Sequence, residues 1–560
     1  MDEQKKPIFE FAFLLIIFGV LLWMGIGAYY EHTLNYDYPK GFMATDAFYK
    51  YDRAAFLDET GDNRHTPSYL CSGVEGIEER YPFISFHNIV LFKDASGLEL
   101  YNSQLLLSVL YTILGGLLTY IIIRKYNQKL ALLSVGIYGF LFVGNFYIGF
   151  LFGWWPQIMG SLLLVGIIWV MLNFDLKGFH ILLGLILASA FLTHTPEALF
   201  GGLFCAIAFG YNFIKNKFDL KLLKRMSLTF IVFLLFSLYY FPIFFESFLL
   251  HGSAGSITFS PKASSFPAPM FSHFGFYGWL ILIGIGASII LLFNQKGKNW
   301  KYFSMAFFMG LVTYSALIGL NERVYQNRFF WPIYFGIFFA LGIHTLIKLI
   351  PLKIPMSIYY IIPIILLVIT TTYYFQPPSS SGLVANKEMW EGMQWVRHNV
   401  PVEETALVLY GDSYNQHGIY SAFGHVMYNV DWSYLPNNLG FDLSESVSKI
   451  ESGTVTRNYS IRPFIHHIEL PKRTSLLKLE YIDVWKLTGE DWDNGKGFRQ
   501  RDLCTFNYVV IDRQSRVPQL AAYNLLIREK LLKNSYIKEV FSNNWYSILK
   551  NDKTGESCIL

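Results

Sequence analysis

The sequence predicts an α-helical polytopic membrane protein with a C-terminal α/β domain outside the membrane. Three observations carry this expectation. Of 560 residues, 53% are hydrophobic and 18% aromatic, while only 15% are charged, against roughly a quarter charged in soluble domains. The apolar residues collect in runs of about 17 to 25, the length that crosses a hydrocarbon core as a helix. Beyond Gln376 those runs stop, and short strand-like and helix-like segments alternate. The mean hydropathy of +0.33 excludes an ordinary soluble enzyme. The near balance of 45 basic and 41 acidic residues, net +4, excludes disorder and leaves no basic surplus for nucleic acid. Cys71, Cys205, Cys504 and Cys558 have neither the number nor the spacing of a zinc site or a disulfide scaffold, and pairing of Cys504 with Cys558 stays open.

Roughly eleven spans are expected, near 8–30, 102–123, 130–150, 156–173, 179–193, 197–214, 226–249, 272–293, 302–320, 329–350 and 356–375. The run from Phe9 to Ala28 outlasts a signal h-region and precedes no small-residue cleavage site, so it reads as a retained anchor. The span at 179–193 is short for a full crossing. Lys and Arg orient the bundle, because basic residues resist transfer outward. Lys5 and Lys6, then Arg124, Lys125 and Lys129, then Lys177, then Lys215 to Arg225, then Lys296 to Lys301, then Lys348 and Lys353 fall on alternate connections. The N-terminus is therefore expected in the cytoplasm of a plasma-membrane protein, with 31–101 and 376–560 outside. This divides the chain into a membrane domain, 1–375, that includes the outer loop 31–101, and an outer domain, 376–560.

The outer domain opens with a linker of Pro377, Pro378 and serines. Asn386–Asn399 reads as a helix capped by Asn386, with Met389, Met393 and Val396 on one face, and Ala406–Tyr410 as a strand. Tyr508–Ile511 is a further apolar run, Gln519–Leu532 a helix, and Ile537–Phe541 and Trp545–Leu549 strands. Asn458-Tyr459-Ser460 is an acceptor pattern for N-glycosylation. No repeat at a fixed period is present, which counts against a transporter built from two halves.

Ionisable groups are scarce within the spans and gather on the outer face, the reverse of a transporter's pattern. The segment from Ala44 to Leu57 reads as a short helix along the membrane surface, with Phe48, Tyr51, Ala55 and Phe56 on one stripe and Asp46, Lys50 and Arg53 to the other side. Asp46 suits either a helix-capping carboxylate or a base or metal ligand. Glu75, Glu78 and Glu79 read as a solvated face, whereas Arg80 and His87 beside an apolar surface suit phosphate binding. Thr193-His194-Thr195-Pro196-Glu197 places an imidazole and a carboxylate within one helical turn, fitting either helix punctuation or a substrate contact. Glu322, Arg323 and Arg328 stand at the outer mouth of the tenth span, as interfacial anchors or as a clamp on phosphate or carboxylate. In the tail, Asp491-Trp492-Asp493 has an acidic-pair pattern, and Gly411-Asp412-Ser413 follows a strand, where α/β ligand clefts form.

The loop beginning Thr45-Asp46-Ala47-Phe48-Tyr49 and closing on Tyr81-Pro82, the stretch Asn327-Arg328-Phe329-Phe330-Trp331-Pro332, and the tail segment Met393 to Pro401 together resemble the C-type membrane glycosyltransferase superfamily, in particular archaeal relatives of oligosaccharyltransferase catalytic subunits. The resemblance implies transfer of a sugar from a polyprenyl phosphate or diphosphate in the bilayer to an acceptor, with an acid of the first outer loop at the reacting centre. By position that acid is Asp46, with Asp52 second, and Arg80, Arg323 or Arg328 sit beside carrier or acceptor. Two departures stand out. The region Phe150 to Gln157 lacks the second acidic pair of oligosaccharyltransferases, and their Trp-Trp-Asp-Tyr-Gly motif survives only as Tyr410-Gly411-Asp412-Ser413-Tyr414. These favour the metal-independent, monosaccharide-transferring branch; if a metal such as Mg2+ or Mn2+ takes part, Asp46 is its ligand. A flippase for a lipid-linked substrate and a silent scaffold of the same fold are the competing readings.

Overall fold

The computed structural model describes residues 6–29, 33–43, 45–174, 176–215, 219–246, 271, 273–294, 304–306, 330–351, 354–375, 386–409, 419–430, 448, 458–464, 469–483, 499–514 and 518–555. The chain forms two compact units, Met1–Leu34 with Tyr81–Ser380 and Asn35–Arg80 with Ser381–Leu560. The outer loop is thereby divided at Arg80, its first part folding together with the tail.

The first unit is helical. Its elements are α1 (Lys6–Tyr29) and, after α2 (Thr45–Thr60) of the second unit, α3 (Ile84–Ser96), α4 (Leu100–Tyr126), α5 (Gln128–Ser134), α6 (Gly144–Leu151), α7 (Trp155–Leu172), α8 (Phe179–Phe191), α9 (Thr195–Lys215), α10 (Leu220–Ser237), α11 (Phe241–Phe244), α12 (Tyr277–Asn294), α13 (Trp331–Leu349) and α14 (Met356–Tyr373). Among the described residues six helices, α1, α4, α7, α9, α13 and α14, are long and apolar enough to cross a membrane. Shorter apolar segments occur at Gln128–Phe142, Phe179–Phe191 and Tyr277–Phe293. The expected span at 302–320 lies outside the described residues except for 304–306.

The expected single span at 130–150 is instead broken into α5, a 3-10 segment Val135–Phe142 and α6. Gly136, Gly139 and Gly144 lower the α-helical preference there. The two inner glycines also lie against α14, where a Cβ would stand 3.3 Å from Pro363 Cα and 2.9 Å from Leu367 Cδ1. All eight residues of the 3-10 segment are buried as a result.

Two further features hold the bundle. A Cβ on Gly284 of α12 would fall 1.6 Å from the Phe338 carbonyl oxygen, and one on Gly342 of α13 would fall 1.9 Å from that of Leu280. These two helices therefore meet backbone to backbone, the small-residue packing that membrane helices use in place of a hydrophobic driving force. Glu10 of α1 is buried and accepts hydrogen bonds from Tyr120, Arg124 and Gln128. This satisfied network is an exception to the scarcity of charge expected within the spans.

The second unit contains a seven-stranded mixed sheet. Its elements are α15 (Lys387–Asn399), β1 (Ala406–Leu409), β2 (Met427–Val430), β3 (Asn458–Pro463), β4 (Glu469–Ser475), β5 (Lys478–Asp483), β6 (Arg499–Asp502), β7 (Tyr508–Asp512), α16 (Pro518–Leu531), β8 (Ile537–Ser542) and β9 (Tyr546–Asn551). The strand order is β6-β3-β2-β1-β7-β9-β8, with β1 parallel to both β2 and β7 and the outer pairings antiparallel. Central β1 is buried at every position, and α16 buries Leu520, Tyr523, Ile527 and Leu531 in the same core as Leu407, Leu409, Val509 and Ile511. Asn386 caps α15 by accepting from Met389 N at 2.7 Å, and Met389, Met393 and Val396 are buried, as the spacing predicts. Asn458-Tyr459-Ser460 lies in β3, which pairs with a strand on each side. The β4–β5 hairpin is separate and extends to the outer loop through an antiparallel bridge between Ile77 and Lys472.

Candidate active site

Helix α2 carries both acids singled out in the outer loop. Its sequence has no glycine or proline before Gly61, and Asp46 in the first turn complements the partial positive charge of the helix start. The helix stops where Gly61 adopts a left-handed conformation, φ +70°, its N–H donating to Leu57 O at 2.8 Å. Asp46 is exposed; Ala47, Phe48 and Tyr49 directly after it are buried.

The expected two-sided helix on a membrane surface is corrected by burial of its polar side. Lys50 and Arg53 are 6% and 3% exposed and Asp52 is 0% exposed, so α2 is enclosed in the second unit rather than half in water. Buried charges need partners, and this unit supplies them. Asp52 Oδ1 accepts from the Tyr69 hydroxyl at 2.8 Å and from Arg397 Nη1 of α15 at 3.3 Å; its Oδ2 is buried without a partner. Arg397 Nη2 donates to Glu59 at 2.6 Å, and Gly424, at φ +57°, leaves room for it, since a Cβ there would stand 2.8 Å from Arg397 Cγ. Arg53 pairs with Glu79 at 2.5 Å, both side chains 3% exposed, and Thr66 and Tyr49 also donate to Glu79.

Burial is the largest influence on Asp52 and raises its carboxyl to about 7, opposed by Arg397, Tyr69 and Arg53. The same burial, with the Asp52 charge beside it, pushes Tyr69 well up. Burial works against the charge of Arg397, yet Asp52, Tyr69 and Glu59 outweigh it and hold the guanidinium firmly protonated. The expected solvated face is also corrected: Glu78 and Glu79 are 3% and 4% exposed, Glu78 pairing with Arg473 of β4 at 2.9 Å. Arg80 is half-buried with its guanidinium 5.6 Å from the centre of the Tyr481 ring.

In the first unit the structure brings His194 and Glu197 together. Glu197, in the first turn of α9, pairs with His194 Nδ1, the side chains being 1% and 29% exposed. Ile84 N at the start of α3 donates to Leu192 O, and Asn88 and Thr193 both reach Met159 Sδ, at 3.3 and 4.0 Å. His87 is half-buried on α3, with Nδ1 3.3 Å from Phe83 O. Glu322, Arg323, Arg328, Asp491 to Asp493 and Gly411 to Ser413 lie outside the described residues.

Sequence reasoning missed Arg397, Tyr69 and Glu59, and read Glu79 as solvated. Arg397 stands in a stretch that the resemblance marks, but its pairing with a carboxylate 345 positions earlier has no local signal. Among the described residues no three His, Cys, Asp or Glu side chains gather as metal ligands do. Cys504 is disulfide-bonded, and Cys71 and Cys205 are free.

No family model matches the chain, and no curated protein matches it. Solved structures do. ArnT from Cupriavidus metallidurans, crystallised with undecaprenyl phosphate, superposes with a TM-score of 0.50 at 12% identity, covering 98% of this chain and 98% of that one. The archaeal oligosaccharyltransferase AglB from Archaeoglobus fulgidus, complexed with an inhibitory peptide and a dolichol-phosphate, gives 0.46 at 10%, covering 96% and 80%. The arabinofuranosyltransferase AftD from Mycobacteria gives 0.48 at 11%, covering 97% of this chain and 40% of its own. The chain thus shares the fold of ArnT over its whole length, and it is a multi-pass membrane protein with a strand-containing C-terminal domain.

Proposed function

We propose that this protein is a membrane glycosyltransferase that moves a sugar from a polyprenyl-phosphate donor to an acceptor at the outer face of the plasma membrane. The observation that carries the reading is the contrast along α2: Asp46 is exposed, while the rest of its helix is fixed by buried ion pairs through Asp52 and Arg53. A general base has to reach its substrate and keep its place. Asp46 meets both demands. Asp52, fully buried and engaged with Tyr69 and Arg397, meets only the second, and is assigned to positioning rather than to chemistry. The full-length fold match to a protein that binds undecaprenyl phosphate supports a lipid phosphate as the donor's carrier.

In this scheme the acceptor hydroxyl or amide attacks the anomeric carbon and its proton passes to Asp46. The bond from that carbon to the phosphate oxygen breaks, its electron pair leaving with the carrier. Arg80, Arg323 or Arg328 is assigned to offset the charge on that phosphate. No step is routed through a metal. The disulfide at Cys504 supports an oxidising, outer location for its domain.

The test is transfer of labelled sugar from membrane-extracted polyprenyl-linked donors by wild type and Asp46→Asn, with manganese and with EDTA. Loss of about 10²-fold or more in kcat with donor binding retained is the expected result. Saturable donor binding with no transfer from any donor pool would replace the transferase by a scaffold or flippase.

A further inference from the structure

We infer that the tip of the β4–β5 hairpin is a membrane contact, Leu476 and Leu477 entering the apolar layer of the bilayer while Lys472 and Lys478 meet anionic lipid headgroups. Every residue that carries this belongs to the second unit, and it holds whether or not sugar is transferred. The two leucines form the whole turn, since Ser475 pairs with Lys478 on either side of them. They are 57% and 61% exposed. One exposed leucine needs no explanation. Hairpin turns, however, favour Gly, Asn, Asp and Ser, and two successive leucines there add nothing to the turn and leave apolar surface in water. The strands behind them follow the usual pattern: Leu470 and Leu479 are buried, and Leu470 packs with Cys71 and Ile77. The hairpin thus has a core of its own, and its tip carries a second apolar surface outside that core.

The tip is held in place. Two strands alone are marginal in water, and segment 71–80 of the outer loop supplies the missing support. Ile77 bridges to Lys472, the Glu78 N–H donates to Pro471 O at 2.8 Å, and Arg473 Nε donates to Glu78 Oε1 at 2.9 Å. Arg473 also donates through Nη1 to Leu476 O in the turn itself. Arg80, where the chain leaves this unit, has its guanidinium 5.6 Å from the centre of the Tyr481 ring of β5. Charge chooses the partner. Within four residues of the leucines stand Lys472, Arg473 and Lys478 against Glu480. Lys472 and Lys478 are exposed, and Lys478 reaches Glu480 at 3.5 Å. An apolar point flanked by lysines has the composition of an interfacial anchor, the lysine stems lying along the acyl boundary and their ammonium groups at the phosphates. The chain passes between its units at 34–35, 80–81 and 380–381, so the second unit is tethered to a bilayer and a weak contact suffices to engage it. Insertion fixes segment 71–80 and, through Glu79 and Arg53, helix α2.

The experiment uses full-length protein in vesicles of phosphatidylcholine with and without phosphatidylglycerol. Leu477→Cys carries an NBD fluorophore, wild type treated alike corrects for the protein's own cysteines, and Lys533→Cys, at an exposed position after α16, reports water. With phosphatidylglycerol present, the probe at position 477 should emit to the blue of the probe at 533, be quenched by nitroxide-bearing lipid and be shielded from aqueous iodide. Lys472→Gln with Lys478→Gln should lower the ratio of inserted to free probe by about tenfold or more. A probe at 477 that reads like the one at 533 overturns the inference, as does quenching undiminished when phosphatidylglycerol is left out. Shielding from iodide without quenching by lipid assigns the tip to protein, a second copy of this chain or a partner, and overturns it as well. If Leu477→Cys does not fold, Leu476→Cys takes its place with the same readouts and the same force.

Discussion

At the scale of residues, the buried polar groups of the second unit decide more than the exposed ones. Asp52 has its carboxyl raised to about 7 by burial, well above the unfolded value near 4. Between those two values the native state holds a proton that the unfolded chain has lost, so the contribution of Asp52 falls as pH rises through the window and levels off above about 7. Arg397 keeps Glu59 as a partner when Asp52 is protonated, so the acidic end of the window does not strand its charge. Thermal unfolding followed from pH 5 to 8 should show a decline in midpoint that Asp52→Asn abolishes; parallel profiles would contradict this account. Arg397→Met removes the cation from a fully buried carboxylate, and a loss of about 3 kcal/mol is expected. Pairing it with Asp52→Leu should recover much of that loss, because a matched apolar pair avoids the buried charge altogether. A double-mutant cycle measures this directly.

At the scale of elements, legibility followed locality. Helix α15 announced itself through Asn386 and the spacing of Met389, Met393 and Val396, and β1, β7, α16, β8 and β9 were each readable from a run of a few residues. Strands β2, β3, β6 and the β4–β5 hairpin escaped. Arg499-Gln500-Arg501-Asp502 has no apolar alternation at all and is a strand because β3 pairs with it. The same limit hid the site: α2 reads as a two-sided surface helix because Asp46, Lys50 and Arg53 advertise water, and only the folded chain reveals Glu79 beside Arg53 and Tyr69 and Arg397 beside Asp52. Close helix contact is equally silent in a sequence with 44 glycines. Gly284 and Gly342 differ from the other described glycines in that a Cβ would fall within 2 Å of a backbone oxygen, which cannot rotate away. Gly342→Val should force α12 and α13 apart and lower the thermal midpoint in detergent by several degrees, whereas Gly19→Val, with nothing within 4 Å, should leave it unchanged.

At the scale of the whole molecule, the composition of the second unit constrains the path of the chain. Asn35–Arg80 and Ser381–Leu560 fold as one unit and so occupy the same side of the membrane, which requires an even number of crossings between Tyr81 and Ser380. The sequence reading places ten spans there, from 102–123 to 356–375, and the described residues hold a helical segment for each, of 302–320 only residues 304–306. Nine crossings would separate the two halves of a domain whose α2 and α15 share the Asp52–Arg397 pair. We propose the outer side for that unit, from the Lys and Arg that stand on alternate connections beginning with Lys5 and Lys6, and the bonded Cys504 fits such a location. A periplasmic-type alkaline phosphatase fused after Leu560 should be active, and a fluorescent reporter that folds only in cytoplasm should stay dark there. Truncation after residue 300 should invert both readouts, because that point lies on the basic side after an odd number of remaining spans. An active phosphatase at both points would contradict the odd number of spans read between residue 300 and the second unit, whereas an inactive one after Leu560 would remove the placement of Asp46 at the outer face.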